Sequence, residues 1–398
     1  MNRLAFFAVP LTVLLITLLG PILRDGMFID GLVYTNLAKN MARGHGGIWE
    51  PVLNVGGPVF TEHPVLLPYL HSFLFSLLGD GKHTEDVFNF LVVTLTVGLM
   101  YLLWRKFIRR REHYLFFFPL LLWALSQEVQ LRYANTMLEC GMTVFLLAGT
   151  YAYFRLGESR QWLPLIAVGL ATLLATLSKG PVGLFLLGLP FFHELIMERR
   201  FRLLSIVAPV LILIFGYGLL FALRPEAYAF LHEYFDAQVL AALRGDRIEN
   251  IANSRFAILQ GLVLANLPAL ILSSLLLFVR VPGQNRPSRA GWLFVAVGAT
   301  AVLPIMASIK QASYYQLPSL PFLFLGLGLL LLPRLVRVTD YFRRNRMAAW
   351  ILRGVGMAGL VTGLYVAFSM LNTTDRRDRV PLARANEMSE VLKKRSID

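Results

Sequence analysis

The chain has 398 residues, of which 56% are apolar and only 16% charged, against about 45–50% and about 25% in ordinary soluble domains. That balance excludes a water-soluble globular enzyme and predicts a polytopic membrane protein, because many apolar runs reach the ~17–25 residues that cross a hydrocarbon core. The net charge of +14 falls in short basic loops between those runs. This is the positive-inside pattern of membrane topology and not the mark of a nucleic-acid partner.

The first run, 4–23, follows Met1-Asn-Arg3. It exceeds the ~7–15 residues of a signal-peptide core and no small-x-small cleavage site follows, so it predicts an uncleaved first span. Next comes Phe28-Ile-Asp-Gly-Leu-Val-Tyr-Thr-Asn-Leu-Ala-Lys-Asn-Met-Ala-Arg-Gly44. Val33, Leu37 and Met41 share one helical face there, with Asn36, Lys39, Asn40 and Arg43 on others, which predicts a helix lying on the bilayer surface. Asp30 stands at its N-terminal end, either as a helix cap or as a reactive carboxylate. Pro64–Leu78 is intensely apolar but too short to span, and predicts a second interfacial helix with Pro64 at its first position.

Further spans are predicted at 86–107, 114–130, 135–154, 162–177, 181–197, 203–222, 255–279, 291–308, 313–333 and 347–370, about eleven with the first. The loops this parity puts inside hold Arg105–Arg111, Arg155 with Arg160, Arg199–Arg202, Arg280 with Arg286 and Arg289, and Arg334–Arg346; all are basic. A crossing at Pro64–Leu78 would move every later basic loop outside. The outside receives loops 24–85 and 223–254, the turns Ser178–Pro181 and Ser308–Ala312, and the tail from 371. One membrane domain, 1–370, is therefore followed by a tail, 371–398, too small for its own core. Cys140 is the only cysteine, which excludes a disulfide framework and a Cys-based metal site.

The unusual polar residues all gather on that outer side or just inside it: Asp30, Glu62 and His63, Arg132 and Glu139, Lys179, Arg244 with Arg247, Lys310, and Tyr314-Tyr315. Ionisable groups near membrane depth usually face a cavity or a partner. One or two acids facing several bases suit a phosphate-bearing lipid, with a carboxylate to handle a proton. Each residue also has a plainer reading. Arg132 and Glu139, about two turns apart, would form an ion pair; Lys179 would snorkel from a helix end; the tyrosines would be interface-belt aromatics; His63 would be a solvated turn residue.

Taken in order, these pieces resemble the polyprenyl-phosphate-dependent glycosyltransferases of the protein O-mannosyltransferase and lipid A aminoarabinose transferase family, membrane enzymes of GT-C architecture. Asp30-Gly-Leu-Val-Tyr34 and the residues to Ala42 resemble the family's Asp-Glu-x-x-Tyr opening, and Glu62-His-Pro-Val-Leu its Lys/His-Pro-Pro-Leu segment. Glu139 stands where the family usually carries a second aspartate. Leu177-Ser-Lys-Gly-Pro-Val-Gly183 is similar to the Thr/Ala-Lys-Gly turn, and Lys310–Pro321 to the Lys-x-x-x-Tyr-x-x-Pro-x-x-Pro segment.

The resemblance implies an all-helical GT-C bundle in the cytoplasmic (inner) membrane, with its active site on the periplasmic side. It makes Asp30 the candidate catalytic base, with Glu139 as the second candidate for a catalytic or structural role. Tyr34, Glu62, His63, Arg132, Lys179, Arg244, Lys310 and Tyr315 become candidates for binding substrate; the Tyr-x-x-Pro spacing favours Tyr315 over Tyr314. Gly31 replaces the acid that normally follows the first aspartate. Some members hold a metal with an acidic residue and a histidine in the second large loop, but Gln238-Val239 stand there, so a divalent metal is doubtful and no other cofactor is implied. The partners implied are a polyprenyl-phosphate-linked sugar as donor, membrane lipids, and a lipid, glycan or protein acceptor, as in lipopolysaccharide or protein glycosylation.

Such a reaction needs the phosphate held by cations, an acceptor hydroxyl or amine brought in line, and its proton taken up. One carboxylate with no covalent intermediate would invert the anomeric centre. Two other classes fit the membrane pattern: a flippase of lipid-linked sugars, which would favour charges at mid-span and an inverted repeat, and a non-catalytic envelope-assembly scaffold.

Overall fold

The computed structural model describes residues 3–81, 83–157, 162–244, 254–282, 288–308, 311–371 and 373–394. In chain order its main helices begin with α1 (Ala5–Leu23), α2 (Ile29–Ala42), α3 (Leu66–Leu78), α4 (Thr84–Phe107), α5 (Phe117–Ala124) and α6 (Gln127–Arg132). There follow α7 (Leu138–Leu156), α8 (Leu163–Lys179), α9 (Pro181–Glu198), α10 (Leu204–Leu223) and α11 (Pro225–Tyr234). The chain continues as α12 (Ala257–Ala265), α13 (Leu267–Leu277), α14 (Arg289–Ala307) and α15 (Ser313–Leu330). It closes with α16 (Leu332–Arg344), α17 (Arg346–Ser369) and α18 (Arg379–Lys394). Among the described residues there is no strand, only isolated bridges such as Asp25 with Thr374.

The chain is a multi-pass membrane protein. Six helices (α1, α4, α9, α10, α14 and α17) are long and apolar enough to cross a bilayer, and up to eight spans result if the bent pairs α12–α13 (70°) and α15–α16 (68°) each count as one. Each of the eleven predicted runs meets a helical element, but besides the two bent pairs three more fall short of a straight apolar crossing. Run 114–130 breaks into α5 and α6, α8 has 17 residues, and α7 carries Glu139 in its first turn and Arg155 in its last. The outward faces of α10 and α17 are apolar and exposed, with Phe215, Ile214, Val355 and Tyr365 all uncovered by protein. A surface of that kind is stable against lipid and not against water.

The interior is one large apolar cluster that includes Trp104, Trp123, Leu146, Phe294 and Phe322. Small residues let helices approach closely within it, as membrane packing favours. At Gly149 of α7 a Cβ would lie 2.2 Å from the Ala171 Cβ of α8. The bundle has two distinct ends. Asn89 bonds Thr136 and Glu139 faces Lys179 at one end; Phe107 and Phe154 meet edge to face, centroids 4.9 Å apart, at the other.

Two expectations for the first loop need correction. Helix α2 does not merely lie on a surface: Tyr34, Thr35, Leu37, Ala38 and Asn40 are buried. Tyr34 and Leu37 join a second core with Phe60, Val65, Leu67, Leu138 and Phe230. Asn40 lies inward because its amide donates to the Val52 and Leu53 carbonyls, at 2.8 and 3.0 Å. Pro64 does not open α3; Val65 is the N-cap and Leu66 the first helical residue. The tail is tied to the first loop by Asp25 N–H donating to Thr373 O (2.9 Å), Asp375 N–H donating to Asp25 O (2.7 Å) and an Arg24–Asp375 ion pair.

Gly149→Ala therefore forces two helices apart and is expected to cost about 1–3 kcal/mol, read as a lower thermal midpoint in detergent. Gly98→Ala in α4, where an added Cβ meets nothing within 4 Å, is the control, expected to be neutral or to stabilise by up to about 1 kcal/mol.

Candidate active site

Asp30 and Tyr34 sit one turn apart on α2 and so share a face. Asp30 is not the cap: Phe28 holds the N-cap position and Asp30 lies within the first turn, half-buried. What positions it is the turn between α6 and α7. The Phe28 N–H donates to Asn135 Oδ1 at 2.5 Å. At Gly31 a Cβ would stand 2.2 Å from the Asn135 carbonyl oxygen. No side chain fits there, which explains why the acid of the related motif is missing.

The turn itself is unusual. Thr136 adopts a left-handed φ of 48°, which a β-branched residue rarely does. Asn89 Oδ1 compensates by accepting from both the Thr136 N–H (3.0 Å) and its hydroxyl (3.2 Å). This reversal separates Arg132 from Glu139, and the ion pair expected between them does not form. Arg132 pairs with Glu128 one turn earlier, at 3.2 Å. Glu139 faces Lys179 instead, with Oε1 3.1 Å from Nζ.

Lys179 does not snorkel. It is 4% exposed and Glu139 is 0% exposed. The two meet as charges outside hydrogen-bonding geometry, and Glu139 Oε2 has no hydrogen-bond partner. Lys179 Nζ donates to the Tyr34 hydroxyl at 3.3 Å and stands 3.3 Å from His63 Nε2. The Tyr34 and Tyr314 rings lie 5.6 and 5.8 Å from it, within cation–π range. The following Gly180 has φ 90°, and a Cβ there would meet the Tyr234 hydroxyl at 2.0 Å. Only glycine lets the chain turn so tightly past Tyr234.

Burial pushes the Tyr34 hydroxyl well above the usual phenol range; Lys179 opposes that, and Glu139 and Asp30 add to it. Tyr34 is therefore a protonated donor at neutral pH, and the charges of both acids reach it. Burial raises the Tyr234 hydroxyl in the same way, against the pull of Lys179. The Arg132 guanidinium lies over the Phe28 and Tyr314 rings, at 4.8 and 5.1 Å, and Tyr314 meets Tyr315 edge to face at 5.0 Å.

The fold thus brings Tyr34, His63, Arg132, Glu139 and Lys179 together, with Asp30 at the rim and the half-buried Tyr315 reached through Tyr314. Glu62 is exposed, as is Arg244 at the end of the short helix Ala241–Arg244. Lys310 and Arg247 lie outside the described residues. Tyr314 is the ring that both cations approach, although the motif spacing favours Tyr315. Tyr234 carries no sequence signal, whereas Glu128 was legible as the i, i+4 partner of Arg132. Among the described residues no three His, Cys, Asp or Glu side chains group as metal ligands, and the buried carboxylate is already opposed by Lys179.

Residues 62–223 match the family model described as dolichyl-phosphate-mannose-protein mannosyltransferase. That stretch contains His63, Arg132, Glu139 and Lys179; Asp30 precedes it and the Tyr314-Tyr315 segment follows it. The fold is similar to that of ArnT from Cupriavidus metallidurans bound to undecaprenyl phosphate, with a TM-score of 0.61 and 17% identity over 92% of this chain and 75% of that one. ArnT in the apo state gives 0.59 and 18%, over 89% and 62%. None of the curated proteins matches the chain in sequence. The resemblance read from the ordered motifs is borne out, and the GT-C helical architecture with it.

Lys179→Met strands a buried carboxylate and is expected to cost about 3–5 kcal/mol in thermal unfolding. The double variant Lys179→Met with Glu139→Leu should regain most of that loss. Non-recovery in the double variant would show that the two charges do not depend on one another.

Proposed function

We propose that this protein is an inverting glycosyltransferase that moves a sugar from a polyprenyl-phosphate donor to a lipid, glycan or protein acceptor at the outer face of the cytoplasmic membrane. The observation that carries this reading is the half-exposed Asp30 beside a buried set of cations and tyrosines, all at one end of a membrane bundle. The likeness in fold to ArnT, a protein solved with undecaprenyl phosphate bound, supports a lipid phosphate as the ligand of those cations.

In this mechanism the acceptor hydroxyl or amine attacks the anomeric carbon from the side opposite the phosphate. The new bond to carbon forms as the bond from carbon to the phosphate oxygen breaks, and polyprenyl phosphate departs. Asp30 takes the acceptor proton, since it is the carboxylate at the rim. Arg132, Lys179 and His63, with the hydroxyls of Tyr34 and Tyr315, stabilise the charge that grows on the leaving phosphate. The exposed Arg244 and Glu62, and Lys310, join only as further candidates for holding substrate. Glu139 is sealed from solvent and cannot reach an acceptor; it keeps Lys179 charged and in place.

A radiolabelled polyprenyl-phosphate sugar incubated with the purified protein and membrane extract tests the proposal. Label should pass to a new product, and Asp30→Asn should slow that transfer by about 10²–10⁴-fold, the usual contribution of a general base, with no loss of folded protein. Movement of the lipid across vesicles without covalent change would identify a flippase instead.

A further inference from the structure

At the end of the bundle opposite Asp30, a cavity of about 490 Å³ opens among α4, α7, α8, α9 and α10. Fourteen residues of α7 separate Glu139 from Tyr153 at its wall, which is about 21 Å along a helix. The cavity is no part of the site described above. Its lining combines the cations Lys106, Arg200 and Arg202 with the carboxylates of Glu194 and Glu198.

Local backbone geometry builds this arrangement. Helix α9 ends in a wide π-helical turn, His193–Glu198, and Arg199 then takes a left-handed φ of 55°. The Arg200 N–H donates back to the Glu194 carbonyl at 3.1 Å, which folds the basic segment against Glu194. Such π-turns recur at functional sites. Tyr153 and His193 hydrogen-bond to each other at 3.0 Å, and Glu198 pairs with Arg200. Glu194 differs. It is 9% exposed and its Oε2 is sealed without a hydrogen-bond partner. A buried carboxylate oxygen in that state is costly, and it lines a space large enough for a ligand.

One demand is unmet: Glu194 Oε2 needs an N–H or O–H donor. Arg202, exposed on the same lining, favours an anion nearby. A ligand with an ammonium and a phosphate a few bonds apart meets both. The same lining carries apolar Phe107, Pro164, Leu165 and Leu204, suited to the glycerol and first acyl carbons of a lipid. We propose that this cavity binds the headgroup of an aminophospholipid of the phosphatidylethanolamine class, its ammonium donating to Glu194 and its phosphate held by Arg202, Arg200 and Lys106. Phosphatidylcholine offers the same phosphate but no N–H, and phosphatidylglycerol offers hydroxyl donors but no positive charge to balance the carboxylate. The site therefore discriminates by a donor that is also charged.

Native mass spectrometry of the full-length protein with equimolar phosphatidylethanolamine, phosphatidylcholine and phosphatidylglycerol of identical chains tests this. The wild type should retain phosphatidylethanolamine over phosphatidylcholine by about tenfold, one hydrogen-bonded charge contact's worth. Glu194→Gln should bring that ratio near one, and Arg202→Ala, at an exposed position, should weaken retention of every phosphate lipid. Equal retention of the three lipids by the wild type overturns the proposal without any variant. So does an unchanged ratio in Glu194→Gln, and free phosphoethanolamine bound as well as the lipid overturns the lipid as its source.

Discussion

The constraint on which the rest depends is the buried pair of Glu139 and Lys179. Neither charge would be tolerated alone at such depth, because an uncompensated ion in a low-dielectric interior costs several kcal/mol. The start of α7 and the end of α8 must therefore meet, and the Gly149–Ala171 approach sets the distance at which these helices run together. A buried ion pair is weak evidence for stability, since an apolar pair of similar volume often serves as well. It is better evidence for function: an ionisable pair kept at this position costs stability and supplies a fixed cation. Tyr34, His63 and Tyr314 are all arranged about that cation.

The two acids of the site live in different environments, and the difference supports the separate roles proposed for them. Glu139 is sealed, with one oxygen opposed by Lys179 and the other without a hydrogen-bond partner. Asp30 is held at the rim by contacts of its neighbours: the Phe28 amide on Asn135 and the bare Gly31 against the Asn135 carbonyl. A proton acceptor must reach a substrate, so the rim acid suits that task and the sealed one suits electrostatic support. Environment separates two chemically similar carboxylates, the logic by which sites assign acid and base roles.

Much of this was legible in the sequence because membranes impose strong rules. Apolar runs and basic loops marked the helices, and the ordered motifs marked Asp30, His63 and Lys179. What the sequence hid lies across elements. Spacing along a helix made Arg132 and Glu139 look like partners, but the left-handed Thr136 ends one helix and redirects the next, so each found a different counter-ion. The Val33–Leu37–Met41 stripe gave the right helix and too shallow a burial, because Asn40 is drawn inward by two loop carbonyls that no periodicity reveals. Tyr314 and Tyr315 are adjacent, and only the packing shows which ring the cations approach.

The same cross-chain logic gives the short tail a place in the site. Its backbone pairs with Asp25 and its Asp375 meets Arg24, immediately before α2. Burial is the largest single influence on the Asp375 carboxyl and raises it, but the Arg377 backbone N–H and the charges of Arg24 and Arg377 together outweigh it and hold the group below the usual carboxylate range. At neutral pH it is therefore an anion, and the strap is fully formed; acid weakens it only below that range. Arg377 then lies over the Phe28 ring, 5.9 Å from its centroid, the same ring that Arg132 covers. Phe28 is the N-cap of the helix that carries Asp30. The tail, whose Asp375 stands 351 residues from Arg24 in sequence, is thereby packed on the residue that opens α2, within one turn of the rim carboxylate, a contact between distant parts of the chain that no local pattern announces.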